Sequence, residues 1–226
     1  MNVDFSRPVL AIDTSTQYLS LALRANDQVW TFHEAVGTKQ SALILPSLDQ
    51  LLKTASLNRQ DLGSIVYAQG PGAFTGLRIG LGVAQGLALA QNLPLIGIGC
   101  LEAVASLCPN KEAVLAATDA RMGEVFYAWF NTQTHQRLSD DQVGKAADII
   151  MPDGINTATG IGNAYEVYAE QLPVQGTAHM PSAQDYLNLA LSGRFEASDA
   201  ATVHLRYVRN KVALTAAEQA AARKTC

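Results

Sequence analysis

A chain of 226 residues with 48% hydrophobic content can bury one large core or two smaller ones, which excludes a disordered protein. Its 16 basic and 20 acidic side chains leave a net charge of −4, too acidic to grip nucleic acid unaided, since that needs clustered Lys and Arg. Three cysteines without a Cys-x-x-Cys pair, a polar N-terminus and no apolar run near the ~18 residues of a membrane span point to a soluble, cytoplasmic protein with no membrane contact.

Pro8 to Asp13 has the pattern of a buried strand, Thr14 to Gln17 of a turn, and Tyr18 to Arg24 of an alternating strand. Asn26-Asp27 marks a hairpin. Gln28 to Glu34 then forms a third strand with Val29, Thr31 and His33 on one face and Trp30, Phe32 and Glu34 on the other. Gln40 to Ala55 carries Leu43, Ile44, Leu48, Leu51 and Leu52 at helical spacing, with Pro46 expected to start or bend the helix locally.

Ser64 to Gln69 is a short apolar run followed by Gly70-Pro71-Gly72-Ala73-Phe74-Thr75-Gly76-Leu77-Arg78-Ile79-Gly80 and a helix to about Gln91. A strand, glycine turn and helix in this order can offer backbone N–H groups and the positive end of a helix dipole to an anion. No Lys-Ser or Lys-Thr follows the last glycine and the dinucleotide spacing is absent, so it is neither a Walker loop nor a dinucleotide fingerprint. Around the helix, Ile79, Gly80, Val83, Gly86, Leu87 and Ala90 gather on one side, suited to a sheet. Arg78, Leu81, Gly82, Gln85 and Leu89 lie on the other, with a small residue at the centre, as where another helix approaches closely or where the helix is buried on all sides. Pro94 to Gly99 and Leu101 to Leu107 add a strand and a short helix, giving an α/β order of βββαβαβα.

The order then recurs. Val114 to Asp119, a turn and Glu124 to Phe130 echo the Asp13 hairpin, and Ala158 to Gly162 with a helix over 164–172 echoes the strand, glycine turn and helix. Either this is a half-repeat giving two similar lobes that face a cleft, or both are ordinary strand pairs. Between them, residues 131–157 are uninformative apart from a short helix near 143–149. Ser182 to Asp185 caps a helix that ends by Gly193. After strand-like Val203 to Val208, the tail carries Arg206, Arg209, Lys211, Arg223 and Lys224 against Glu218, a solvated end or a docking segment.

Asp13-Thr14-Ser15 sits where a strand turns, so its carboxylate and hydroxyls either hold a metal-bound phosphate or satisfy turn N–H groups. Asp119 is its counterpart, with Arg121 expected to pair with a carboxylate. His33, His135, His179 and His204 form no His-x-x-x-His pair, and no Gly-x-Ser-x-Gly elbow is present, so neither a metallopeptidase nor a serine hydrolase is supported.

The whole run from Gly70 to Gly80 resembles the signature of the TsaB (YeaZ) family, a relative of sugar kinases and actin that supports threonylcarbamoylation of tRNA. Ala11 to Thr16, Ser41 to Pro46, Thr118 to Val125 and Tyr207 to Ala213 are also similar, while 131–200 match more loosely. The resemblance implies two actin-like (ASKHA, ribonuclease H-like) lobes, each a mixed sheet opening with a hairpin or meander and packed by helices. They would span 1–108, with the glycine turn and interface helix, and 109–201, before a basic tail over 202–226. It implies a non-catalytic subunit that binds a TsaD-type transferase acting on the adenosine 3′ of the anticodon, meets a TsaE-type ATPase and tRNA through that complex, and forms a homodimer when alone. ATP or ADP and metal would sit on the partners, with none bound by this chain alone. Asp13, Thr14, Ser15, Gly70, Gly72, Thr75 and Gly76 would be remnants of a phosphate site, and Arg78, Leu81, Gly82, Gln85 and Leu89 the partner interface. TsaD holds its metal with a His-x-x-x-His segment where this chain has Cys100 and Val104. The alternative is an active kinase or ATPase of the same fold, and the short second lobe counts against it.

Overall fold

The computed structural model describes residues 3–208, so the tail residues Arg209, Lys211, Glu218, Arg223 and Lys224, and Cys226, lie outside the described residues. The chain opens with an antiparallel meander of β1 (Val9–Asp13), β2 (Tyr18–Ala25) and β3 (Gln28–Ala35). Alternation in β3 turns Trp30 and Phe32 toward the core, as their spacing predicts. α1 (Gln40–Thr54) runs through Pro46, which lies on its exposed side, where water can meet the carbonyl that loses its N–H partner.

β4 (Ser64–Gly70) lies parallel to β1, and β5 (Leu95–Gly99) parallel to β4, with α2 (Phe74–Gln91) as the crossover. α2 ends at Asn92 in the left-handed region, its N–H returning to the Ala88 carbonyl. α3 (Cys100–Ser106) then leads to a second sheet, in which the hairpin of β6 (Val114–Arg121) and β7 (Glu124–Asn131) is extended by β8 (Gln136–Arg137) and β9 (Gln142–Gly144). β10 (Thr159–Ile161) pairs parallel with β6, and β11 (Gly176–Thr177) with β10. α4 (Ala183–Leu191) begins at a capping box in which Ser182 and Asp185 satisfy each other's backbone N–H groups, and β12 (Ala197–Ser198) follows.

The two sheets run in the same order around their first hairpin: β5-β4-β1-β2-β3 in one and β11-β10-β6-β7 in the other, with β8 and β9 both paired to β7. Leu101, Val104 and Ala105 of α3 pack on Val114, Ala116, Ala128 and Phe130 of the second sheet, so the short helix joins the lobes.

Four expectations change. The stretch 109–201 is not one lobe, because α4 and β12 return to the first sheet: Tyr186 and Leu187 are buried in its core and β12 pairs with β5. Over 164–172 the chain makes a 3-10 turn at Asn163–Glu166 and further bends instead of an α-helix. The helical stripe of Ala164, Tyr165, Tyr168 and Leu172 does face the second core, but the 3-10 turn ends at β-branched Val167, stretched to φ −115, and Pro173 closes the segment. The expected helix at 143–149 is the end of β9 plus the 3-10 turn Ala146–Asp148. Residues 203–208 form no strand; the segment meets β4 through one ladder-like bond, Arg206 N–H to the Gln69 carbonyl at 2.8 Å, and through the Tyr67 hydroxyl and Gln69 amide, which both donate to the His204 carbonyl at 3.2 Å.

Candidate functional site

The β1–β2 turn and the glycine turn meet face to face, because glycines leave room for backbone where side chains would stand. A Cβ on Gly72 would lie 2.8 Å from the Ser15 carbonyl oxygen, and one on Gly76 or Gly80 would run into the Thr14 carbonyl or hydroxyl. The contact is also hydrogen-bonded. Thr14 Oγ1 donates to the Gly76 carbonyl at 2.7 Å, and Ala73 N–H donates to the Ser15 carbonyl at 2.7 Å. Gln40, which sequence reasoning passed over, is buried at the start of α1, and its amide donates to the Thr16 and Tyr18 carbonyls at 2.8 and 2.7 Å. Its only signal in the sequence is an amide placed before an amphipathic helix.

The fold thus brings Asp13, Thr14, Ser15, Gly70, Gly72 and Gly76 together, while Thr75 faces outward. The space a phosphate would take at this turn is filled by Thr14 and Ser15, so these residues do not fit a bound phosphate or its metal there. Asp13 is 4% exposed and accepts the Ser15 N–H at 2.8 Å. Burial pushes its carboxyl above the usual range, against the pull of the Ser15 hydrogen bonds. Cys100 lies in the same cluster; burial first, and the Asp13 charge second, raise its thiol to about 12. Tyr186 from α4 closes the cluster with a buried hydroxyl raised for the same two reasons. Among the described residues no group of three His, Cys, Asp or Glu side chains could hold a metal.

On α2 the buried side is Gly76, Leu77, Gly80, Ala84, Leu87 and Ala88. Outward stand Arg78, Gly82, Gly86, Leu89 and Ala90, with Leu89 69% exposed. Gly86 and Ala90 therefore leave the sheet side on which their spacing placed them, and Val83 is half-buried beside fully buried Ala84. The reason is that α2 is apolar or small all round, so its pattern fixes the stripe only to within one position. Leu81 is half-buried, and Gln85 is turned inward to donate to the Ala200 carbonyl at 2.9 Å. Among the described residues nothing stands within 4 Å of where a Cβ on Gly82 or Gly86 would lie. At the N-terminal end of the strip Arg78 lies over the Phe74 ring at 3.9 Å, and Tyr207 packs beside it.

In the second hairpin Asp119 accepts the Arg121 N–H at 2.9 Å and pairs with its guanidinium at 3.3 Å, the carboxylate partner expected for Arg121. No helix among the described residues is long and apolar enough to cross a membrane.

Two sheets of the same order, each opening with an antiparallel hairpin and extended by parallel strands, and joined by one helix, define an actin-like, ribonuclease H-like protein of two lobes. Residues 34–223 match the family model described as TsaD, tRNA N6-adenosine threonylcarbamoyltransferase. The tRNA threonylcarbamoyladenosine biosynthesis protein TsaB of Escherichia coli is 34% identical over 91% of this chain and 96% of its own. That of Haemophilus influenzae is 38% identical over 53% of this chain and 52% of its own. The solved structure of YeaZ from Pseudomonas aeruginosa superposes with a TM-score of 0.80 at 31% identity, covering 89% of this chain and 99% of that one. The chain belongs to the TsaB (YeaZ) family.

Proposed function

We propose that this protein is a non-catalytic subunit of tRNA threonylcarbamoyladenosine synthesis that works by presenting the outward face of α2 to a TsaD-type transferase. The observation that carries the reading is the strip Arg78-Gly82-Gly86-Leu89: a helix face with small residues at its centre, on a protein whose glycine turn is packed by its own chain. Glycines at its centre let a partner helix approach closely, and the exposed Leu89 and the Phe74–Arg78 pair flank that approach with apolar and cationic surface. The same face serves a second copy of the chain when the transferase is absent. ATP or ADP and the metal belong to the partner subunits, and a TsaE-type ATPase and tRNA are met only in the assembled complex.

A kinase or ATPase reading needs phosphate at the glycine turn, where Thr14 and Ser15 stand, and gains no support from the geometry. Reconstitution tests the proposal: tRNA modification is expected from the transferase and ATPase only when this chain is added, and none from this chain alone. Modification by the isolated chain, or equal modification without it, overturns the reading.

A further inference from the structure

A second cluster of charge lies where the two sheets meet, one residue along the chain from Tyr207 at the N-terminal end of the α2 strip. β4 and β5 end side by side at the paired residues Gly70 and Gly99. Over Gly99 two arginines converge from different parts of the chain: Arg206 Nη1 and Arg137 Nη2 stand 3.2 and 3.6 Å from the place a Gly99 Cβ would take. Arg137 belongs to β8 of the second sheet, and Arg206 to the segment that hydrogen-bonds to β4. Arg137 is held in place by Asp141, which takes Nη1, and by the Phe130 ring at 4.7 Å. Among the described residues its Nη2 is buried and makes no hydrogen bond, and Glu102 Oε2 lies 3.9 Å from it. Arg206 is exposed, and among the described residues no carboxylate lies within 4.0 Å of its guanidinium.

The Glu102 side chain stands over the same glycine, its Cβ 3.8 Å from the place a Gly99 Cβ would take, and Asp141 balances Arg137; what stays open to a further acceptor is the Nη2 donor of Arg137 and the Arg206 fork. Guanidinium forks bind phosphoryl oxygens through short charge-assisted bonds of about 2.7–2.9 Å, and one tetrahedral oxyanion can bridge donors at this spacing. The position also suits a small ligand, since clefts at the carboxyl ends of parallel strands are where open α/β sheets bind them. We infer that Arg137 and Arg206 form an interlobe subsite for a phosphoryl oxyanion, bound by this chain independently of the partner face on α2. The anion ties the second sheet to the segment that follows β12, and so fixes the angle between the lobes. This inference does not rest on the proposed function and places no nucleotide at the filled glycine turn.

The test is titration of the full chain with inorganic phosphate and, separately, with ADP at constant ionic strength, followed by calorimetry and by amide shifts at Gly70, Gly99 and Cys100. Saturable phosphate binding is expected in the wild type. Arg206→Gln should weaken it about tenfold or more, the equivalent of one charge-assisted hydrogen bond, and Arg206→Lys by less. Because the Arg206 side chain is exposed, these variants keep the fold, and Lys53→Gln serves as a charge control with unchanged affinity. Tighter binding of phosphate than of ADP identifies the free anion, and the reverse order identifies a nucleotide phosphate. Neither probe saturating above the chloride background, or Arg206→Gln binding like the wild type, overturns the inference.

Discussion

In each lobe an aspartate near the end of the first hairpin strand accepts the N–H two residues on, Ser15 at 2.8 Å in one case and Arg121 at 2.9 Å in the other. Around that shared turn the lobes part. Asp13 is sealed between the sheet and α4 beside Cys100 and Tyr186, and its turn is clamped by the glycines that open α2. Asp119 meets Arg121, whose side chain is 84% exposed, and its own N–H is held by a single side chain, Asn163 Oδ1, at 2.9 Å. Between the parallel strands β4 and β5 the first lobe carries an 18-residue helix, whereas between β10 and β11 the second carries a 3-10 turn. The sheet order is common to both; what differs is the crossover. A helix has a back face left over for a partner once its front has packed, and a single turn has none.

The sharpest way to break this comparison is to add one methyl group to each hairpin clamp. Gly76→Ala would drive a Cβ into the Thr14 carbonyl and within 2.9 Å of Gln40 Oε1, so it should cost about 3 kcal/mol or more, or prevent folding. Gly123→Ala in the second hairpin meets open space and should cost only the ~1–2 kcal/mol of its left-handed backbone. Urea denaturation of both variants checks this, and equal losses would mean that the first turn is not clamped by α2.

A smaller effect distinguishes the two aspartates by pH. Because burial raises the Asp13 pKa in the folded state above its unfolded value of 3.8, its contribution to stability is full below that value and is lost as pH rises through the folded pKa. Asp13→Asn keeps an acceptor for the Ser15 N–H and removes the buried charge. It should therefore melt above the wild type at pH 7, with the gain shrinking as pH falls toward 4. Asp119→Asn, which loses the Arg121 pair, should show no such gain. Melting curves of both variants from pH 4 to 8 decide it, and a destabilised Asp13→Asn at pH 7 would contradict the buried-carboxyl account.

Much of the first lobe was legible because its signals are local. Period-two alternation marked the meander, and the glycine run marked the β4–α2 junction. Ser182 with Asp185 marked the start of α4. The sequence did not say where α4 goes, since Tyr186 looks the same whether it packs on the second sheet or crosses back to lie beside Asp13 and Cys100. Asp13 to Ser15 could be read from sequence either as a phosphate remnant or as satisfied turn N–H groups, because glycines that admit a phosphate and glycines that admit a neighbouring backbone have one signature; the Ser15 N–H on Asp13 is the second of these. On α2, Gly82, Arg78 and Leu89 were placed outward correctly. Gln85 was not, because its partner, the Ala200 carbonyl, lies 115 residues on. Arg137 carried no motif at all and is visible only through its unmet nitrogen above Gly99.

The central claim is that the back of α2 exists to hold a partner, and Gly82→Arg tests it directly. Arginine favours a helix over glycine by up to about 1 kcal/mol, and the site is open, so the variant should fold and melt at or above the wild-type temperature. An interface of about 1,200–2,000 Å2 has no room for a long charged side chain at its closest helix contact. Sedimentation of the variant with and without a TsaD-type subunit should therefore show a folded monomer that neither self-associates nor joins the transferase. Assembly of Gly82→Arg with wild-type affinity would contradict the account.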